Sequence, residues 1–132
     1  MAYAYSSALW IAAQGAALTL IKGGASDPTI KIRDSGDVLL ATAVIDETGS
    51  TCSGTTGDIS FAILTQEASA DASGTAAYAE ICDGDGTVHA TMDCAQGSSP
   101  VAGACVMNTL SIVMGAPVDV LSATIPAGNT IV

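Results

Sequence analysis

From residue 29 onward the sequence keeps a two-residue rhythm, and that rhythm limits the folds open to it. "TIKIR" (29–33) alternates Ile30 and Ile32 with Lys31 and Arg33, as a strand with one face in water requires. "DVLLATAVI" (37–45) is apolar on both faces, which predicts a central strand or one lying under another element. "GDISFAIL" (57–64) puts Ile59, Phe61 and Ile63 on one face, and "GTAAYAEIC" (74–82) and "GTVHATMDC" (86–94) follow. "VMNTLSIVM" (106–114) reads as short and irregular, and "PVDVLSATI" (117–125) closes the series. Turn-rich segments separate these runs: "DSGD", "ETGSTCSGTTG", "ASADASG", "DGDG", "AQGSSPVAGA" and "MGAP". Roughly seven strands with no helices between them predict a mainly β fold, an antiparallel β-sandwich of Ig-like, Greek-key or jelly-roll type. No repeat or linker divides residues 1–132, so a single domain is expected, with an arm and helix over 1–24 and the sandwich over 25–132.

The one helix is unusual in its coverage. Ser6 or Ser7 can cap it, and "KGG" (22–24) supplies a basic last turn and a glycine stop just after Ile21. Leu9, Ala13, Ala16 and Leu20 share one face, yet Trp10, Ile11, Leu18 and Ile21 make the other faces apolar too. Only Gln14 and Thr19 interrupt the pattern, and a helix apolar nearly all round must be covered on more than one side. Either its own domain supplies every cover, or a second copy of the chain supplies one. The second alternative makes Leu9, Trp10, Leu18 and Ile21 candidates for an oligomer or capsid contact, with Trp10 as an anchor of the kind that concentrates binding energy. Tyr3 and Tyr5, in the short arm before the helix, are candidates to extend onto a neighbour.

Composition points the same way. Hydrophobic residues make up 49% of the chain but aromatic residues only 4%, and much of the apolar mass is alanine. Such a core buries little area per residue, so part of the stability is expected from subunit contacts. The net charge is −10, with Lys22, Lys31 and Arg33 the only Lys or Arg residues. Nucleic acid and anionic membranes both need clustered cations, so neither is expected as a partner. No basic residue precedes the apolar stretch "ALWIAAQGAALTLI" (8–21), which argues against a signal peptide. That stretch is also shorter than the roughly 20 residues of a membrane-spanning helix. A protein made in the cytoplasm is the expectation.

The stretch "ICDGDGTVHATMDC" (81–94) gathers two aspartates, one histidine and two cysteines. Read as a calcium loop starting at Asp83, it fails at Thr87, Val88 and Cys94, where an EF-hand needs a ligand, a glycine and a glutamate. Read as a hairpin, "DGDG" supplies the glycines that tight turns require, and Ala77, Ala79 and Ile81 share a face with Val88, Ala90 and Met92. His89 then falls on a polar face with Thr87, Thr91 and Asp93, and the stretch is read as a turn. His89 is the sole histidine, no G-x-S-x-G elbow or phosphate-cradling loop is present, and no C-x-x-C points to zinc. No catalytic residue, metal ligand or cofactor is assigned, and an enzyme is not expected.

Cys94 and Cys105 flank the loop "AQGSSPVAGA" and could close it as a disulfide, whereas Cys52, in a glycine- and serine-rich loop, is the candidate for an intersubunit thiol. Free, half-buried thiols are the alternative for all of them.

Across nearly its full length the chain resembles a family of small tailed-bacteriophage structural proteins. The resemblance runs through "SSALWIAAQGAALTLIKGG", "TIKIRDSGDVLLATAVI", "ASADASGTAAYAEICDGDGTVHATMD" and "VMNTLSIVMGAPVDVLSATIPAG". It implies a strand-rich virion component with an N-terminal helix and no catalytic residues. The segment after Arg33 is shorter than in the family, and the cysteines are peculiar to this chain. The expected role is a capsid decoration (cement) protein, a homo-oligomeric trimer or dimer on the major capsid protein. A neck, collar, tail or fibre-associated subunit is the nearest alternative, and a glycan-binding β-sandwich module, with Tyr78 among its few aromatics, the more distant one.

Overall fold

A computed structural model of the chain describes residues 6–127. One helix, α1 (Ser7–Ile21), precedes nine strands: β1 (Thr29–Arg33), β2 (Leu39–Cys52), β3 (Ile59–Thr65), β4 (Gly74–Thr75), β5 (Tyr78–Cys82), β6 (Val88–Gln96), β7 (Ala104–Met107), β8 (Ser111–Ile112) and β9 (Val120–Ile125).

The expected open sandwich is not what forms. Seven strands close into a barrel in the order β1-β2-β3-β9-β7-β6-β5, and β5 pairs back onto β1. The alternation of apolar and polar residues is the same for a sandwich face and for a barrel interior, so it fixes which side chains point inward but not whether the outermost strands meet. Nor is the sheet wholly antiparallel, because β6 and β7 run parallel.

Closure also explains the alanines. Ile30 lies opposite Ala43 on β2 and Ile81 on β5, and Ile81 lies opposite Ala90 on β6. One layer along, Ile32 lies opposite Ala41 and Ala79, and Ala79 lies opposite Met92. Apart from the Ile30–Ile81 pair, large side chains thus lie beside small ones on neighbouring strands, which helps a narrow barrel to fill. Phe61, Ile45, Ile59, Cys105, Met107 and Ala123 complete the interior.

Each mouth is covered. At one, α1 is capped by Ser6, whose Oγ accepts from Leu9 N at 3.2 Å, and it sends Leu18 and Ile21 into the core. Gln14 Nε2 donates to the carbonyls of Ile125 and Pro126, at 3.2 and 3.3 Å, and Lys22 Nζ donates to Ser50 O at 2.9 Å. At the other, the β4–β8 pair and the loops beside it contribute Ala70, Ala76, Ile112 and Val118 to the same core.

Two of the differences from the sequence reading bear on how the barrel is closed and capped. The run 74–82 breaks into β4 and β5, since β4 pairs with β8 of the cap while β5 stays in the wall. Strand β2 continues through "ETGSTC", where a turn is expected, because a bulge between Asp46 and Thr51 is stitched by Ser50. Ser50 Oγ donates to Asp46 O at 2.7 Å and accepts from Ala62 N at 3.0 Å.

Candidate functional site

Helix α1 presents two unlike faces. Leu18 and Ile21 belong to the chain's own core, so the inner half of the candidate contact set is occupied within the protomer. Trp10 is half-buried, and Leu9 and Leu20 stand 49% and 57% exposed. With the exposed Ala12, Ala13 and Ala16 they form an apolar stripe at helical spacing, and no residue between Ser7 and Ile21 carries a charge. Tyr3 and Tyr5 lie outside the described residues.

The turn at 83–86 is a docking element rather than a ligand loop. Asp83 Oδ1 accepts from the backbone N–H groups of Asp85 and Thr87, at 2.9 and 3.0 Å, and its Oδ2 meets His89 Nε2 at 2.8 Å. The His89 contact, with those amides, holds the Asp83 carboxyl below its usual range. His89 is thus half-buried against the Asp83 carboxyl rather than open to solvent. Asp85 Oδ1 accepts from Ala25 N, and Gly84 N donates to Gly23 O, so the turn grips the chain where it leaves α1. A side chain at Gly84 would place Cβ 1.8 Å from Ser26 O. The signal for this contact was present as two glycine-rich pieces, "KGG" and "DGDG", but nothing in either names the other as its partner.

A polar cluster covers the outer wall of β1 and β5. Arg33 Nε donates to Glu80, and Arg33 Nη1 donates to Asp37 O at 3.0 Å. Asp37 adopts a left-handed φ of 68° and accepts from the Tyr78 hydroxyl. That bond, with the Asp37 charge behind it, pushes the Tyr78 pKa up to about 12. Beside it lies an open cleft of about 370 Å³, lined by Tyr78, Thr91, Met92, Asp93 and Gly103.

Cys94 and Cys105 are registered partners on β6 and β7. Cys105 is fully buried, Cys94 is half-buried, and all four cysteines are free thiols. The contact between the two sulfurs holds the Cys94 thiol below its usual range and, with burial, raises that of Cys105. Cys82 faces Thr29 and Val88 across its strands, and burial pushes its thiol up. Cys52 closes β2 against Ile59, with its Sγ 3.5 Å from Gly57 O.

Among the described residues there is no group of three or more His, Cys, Asp or Glu side chains placed to hold a metal ion, and no helix is long and apolar enough to cross a membrane. Comparison with protein-family models, curated proteins and solved structures finds no match to this chain.

Proposed function

We propose that the chain is a structural protein of a bacteriophage virion, a capsid decoration protein that assembles as a homo-oligomer through the outer face of α1. The observation that carries this reading is the uncharged stripe of Leu9, Ala12, Ala13, Ala16 and Leu20 on a chain of net charge −10. On so acidic a chain most surfaces would bring like charges together in a contact between copies, whereas this face can be buried without that cost. A closed barrel suits the role, because it has no free sheet edge through which copies could polymerise. Val113 and Met114, exposed after β8 at the opposite mouth, give a separate apolar contact for a shell protein. The order of sequence pieces, which resembles that of small tailed-phage structural proteins, supports the same assignment. Contacts repeated over a symmetric shell then add stability by mass action.

The test is immunogold electron microscopy of the phage particles that carry the gene, with antibody raised against the recombinant chain. Gold spread over heads is the expected result. Gold confined to the neck or tail moves the protein to a collar or tail role. Virions without label overturn the structural reading and turn attention to the Tyr78 cleft, where an aromatic ring beside Thr91 and Asp93 suits a sugar and a glycan array is the assay.

A further inference from the structure

Cys94 and Cys105 occupy a position no other pair of cysteines shares. They lie directly opposite one another on β6 and β7, while Cys52 is opposite Ile59 and Cys82 is opposite Thr29 and Val88. Paired strands run about 4.8 Å apart, inside the Cα separation of about 4.4–6.8 Å that a disulfide bridges. Both side chains turn toward the barrel interior, Cys105 within the core and Cys94 packed against it. The pair sits at the only parallel junction of the barrel, and the chain crosses between these strands in residues 97–103. A parallel connection usually needs a dozen or more residues, so this crossover is short for its kind. Gly97 N donates to Met107 O, and Gly103 N to Thr124 Oγ1.

We propose that Cys94 and Cys105 form a modification site, a dithiol that a small-molecule disulfide oxidises to a cross-strand bond between β6 and β7. Cys94 starts the reaction because it is the member that keeps some exposure, whereas Cys105 is closed to solvent. The Cys94 thiol gives its proton to water, and the thiolate attacks one sulfur of the oxidant, whose S–S bond breaks. One thiol of the oxidant leaves and takes up a proton, and a mixed disulfide remains on Cys94. Cys105 then loses its proton and attacks the Cys94 sulfur, displacing the second oxidant thiol. Two cysteine thiols are oxidised, and one disulfide is reduced to two thiols. The neighbouring Cys105 thiol, which holds the Cys94 thiol below its usual range, favours Cys94 as the first nucleophile. The product locks the crossover after synthesis, without any change of strand register.

The experiment incubates the folded protein, made reduced, with oxidised glutathione, then alkylates it in denaturant and maps its peptides by mass spectrometry. The expected product has lost about two mass units and carries one cross-link, between the peptides of Cys94 and Cys105. Cys52 and Cys82 stay alkylated in the same sample. The oxidised form should melt at a higher temperature than the reduced form, and dithiothreitol should abolish the difference. Cys94→Ser should abolish both the cross-link and the melting shift, while Cys52→Ser should leave both intact. Four alkylated cysteines, a glutathione adduct that persists on Cys94, or a cross-link through Cys52 or Cys82 each overturn the proposal.

Discussion

The backbone N–H of Gly84 donates to the carbonyl oxygen of Gly23 at 2.9 Å, so the turn between β5 and β6 is fastened to the exit of α1. The two segments approach so closely that a Cβ at Gly84 would lie 1.8 Å from Ser26 O, a backbone atom that cannot swing away. Gly84→Ala is therefore expected to separate the turn from the linker and cost about 2–4 kcal/mol, in the range of a lost docking contact with strain. Gly86→Ala is the comparison. It has open space around it and a φ of 89°, so it carries only the left-handed penalty of about 1–2 kcal/mol. Urea denaturation of the two variants should rank Gly84→Ala as clearly the less stable.

The same turn gives the protein an acid-side weakness. Asp83 is held below the usual carboxylate range, first by His89 and then by the amides of Thr87 and Asp85. A carboxyl whose folded pKa is lowered contributes stability above its unfolded pKa of about 3.9, and loses it as pH falls through the lower folded value. Melting temperature should therefore drop as pH is taken from about 5 to below 4. Asp83→Asn should flatten that part of the profile, and an unchanged slope in the variant would show that other carboxylates set it.

How far the sequence reveals this arrangement depends on the range of the contact. Ser6 as helix cap, the DGDG turn and the inward positions of Ala79, Ile81, Ala90 and Met92 are all local and can be read from neighbours along the chain. Val88, expected on the same face, is instead 43% exposed, because a bulge between Ile81 and Cys82 shifts the register there. Barrel closure is not local. It rests on β1 meeting β5 and on β9 lying between β3 and β7, pairings that join residues far apart in sequence. The alanines at 41, 43 and 79 read as a thin core because their large partners, Ile30 and Ile32, come from another strand. Leu18 and Ile21 were indistinguishable in type from Leu9 and Leu20. Only the position of the barrel mouth decides which pair is buried.

Tyr78 supplies a titration that reports on the polar wall. Its hydroxyl donates to Asp37, so ionising it sets a phenolate against a carboxylate, and its pKa lies at about 12. Absorbance at alkaline pH should show one tyrosine, Tyr78, ionising late, at about pH 12. Asp37→Asn removes the opposing charge and should bring Tyr78 down toward the ordinary range near 10. Because the folded value is raised, the stability linked to this group is present below about pH 10 and is lost as pH passes the folded value. If the late-ionising tyrosine survives in Asp37→Asn, the bond to Asp37 is not its cause.

The outer face of α1 gives a prediction that separates assembly from folding. Leu9 and Leu20 are about half exposed in the single chain, so replacing both with glutamate should change stability by less than about 1 kcal/mol. In an oligomer that buries this face, the same changes place four or six carboxylates in an apolar contact and should dissociate it. Sedimentation should then give the monomer mass, while thermal melting of the dissociated variant stays cooperative. Trp10→Ala should weaken the same assembly less severely, since Trp10 is half-buried against its own protomer. An unchanged assembly mass in the double variant removes α1 from the contact.

Ala79 tests whether the barrel interior is as full as its register implies. It is inaccessible to solvent and faces Ile32 on one side and Met92 on the other. In two packed sheets, an added methyl group can be absorbed by a small shift of one sheet over the other. In a closed barrel, strand number and stagger fix the circumference, so the wall has little freedom to yield. Ala79→Val is accordingly expected to cost about 1–3 kcal/mol through overpacking. Ile32→Val alone should cost about 0.5–1.5 kcal/mol by removing a methylene from the opposite side. Combined, the two changes should be less damaging than their sum, since the space vacated by one receives the other. Urea denaturation of the single and double variants measures that coupling, and strict additivity would mean that Ala79 and Ile32 do not compete for the same interior volume.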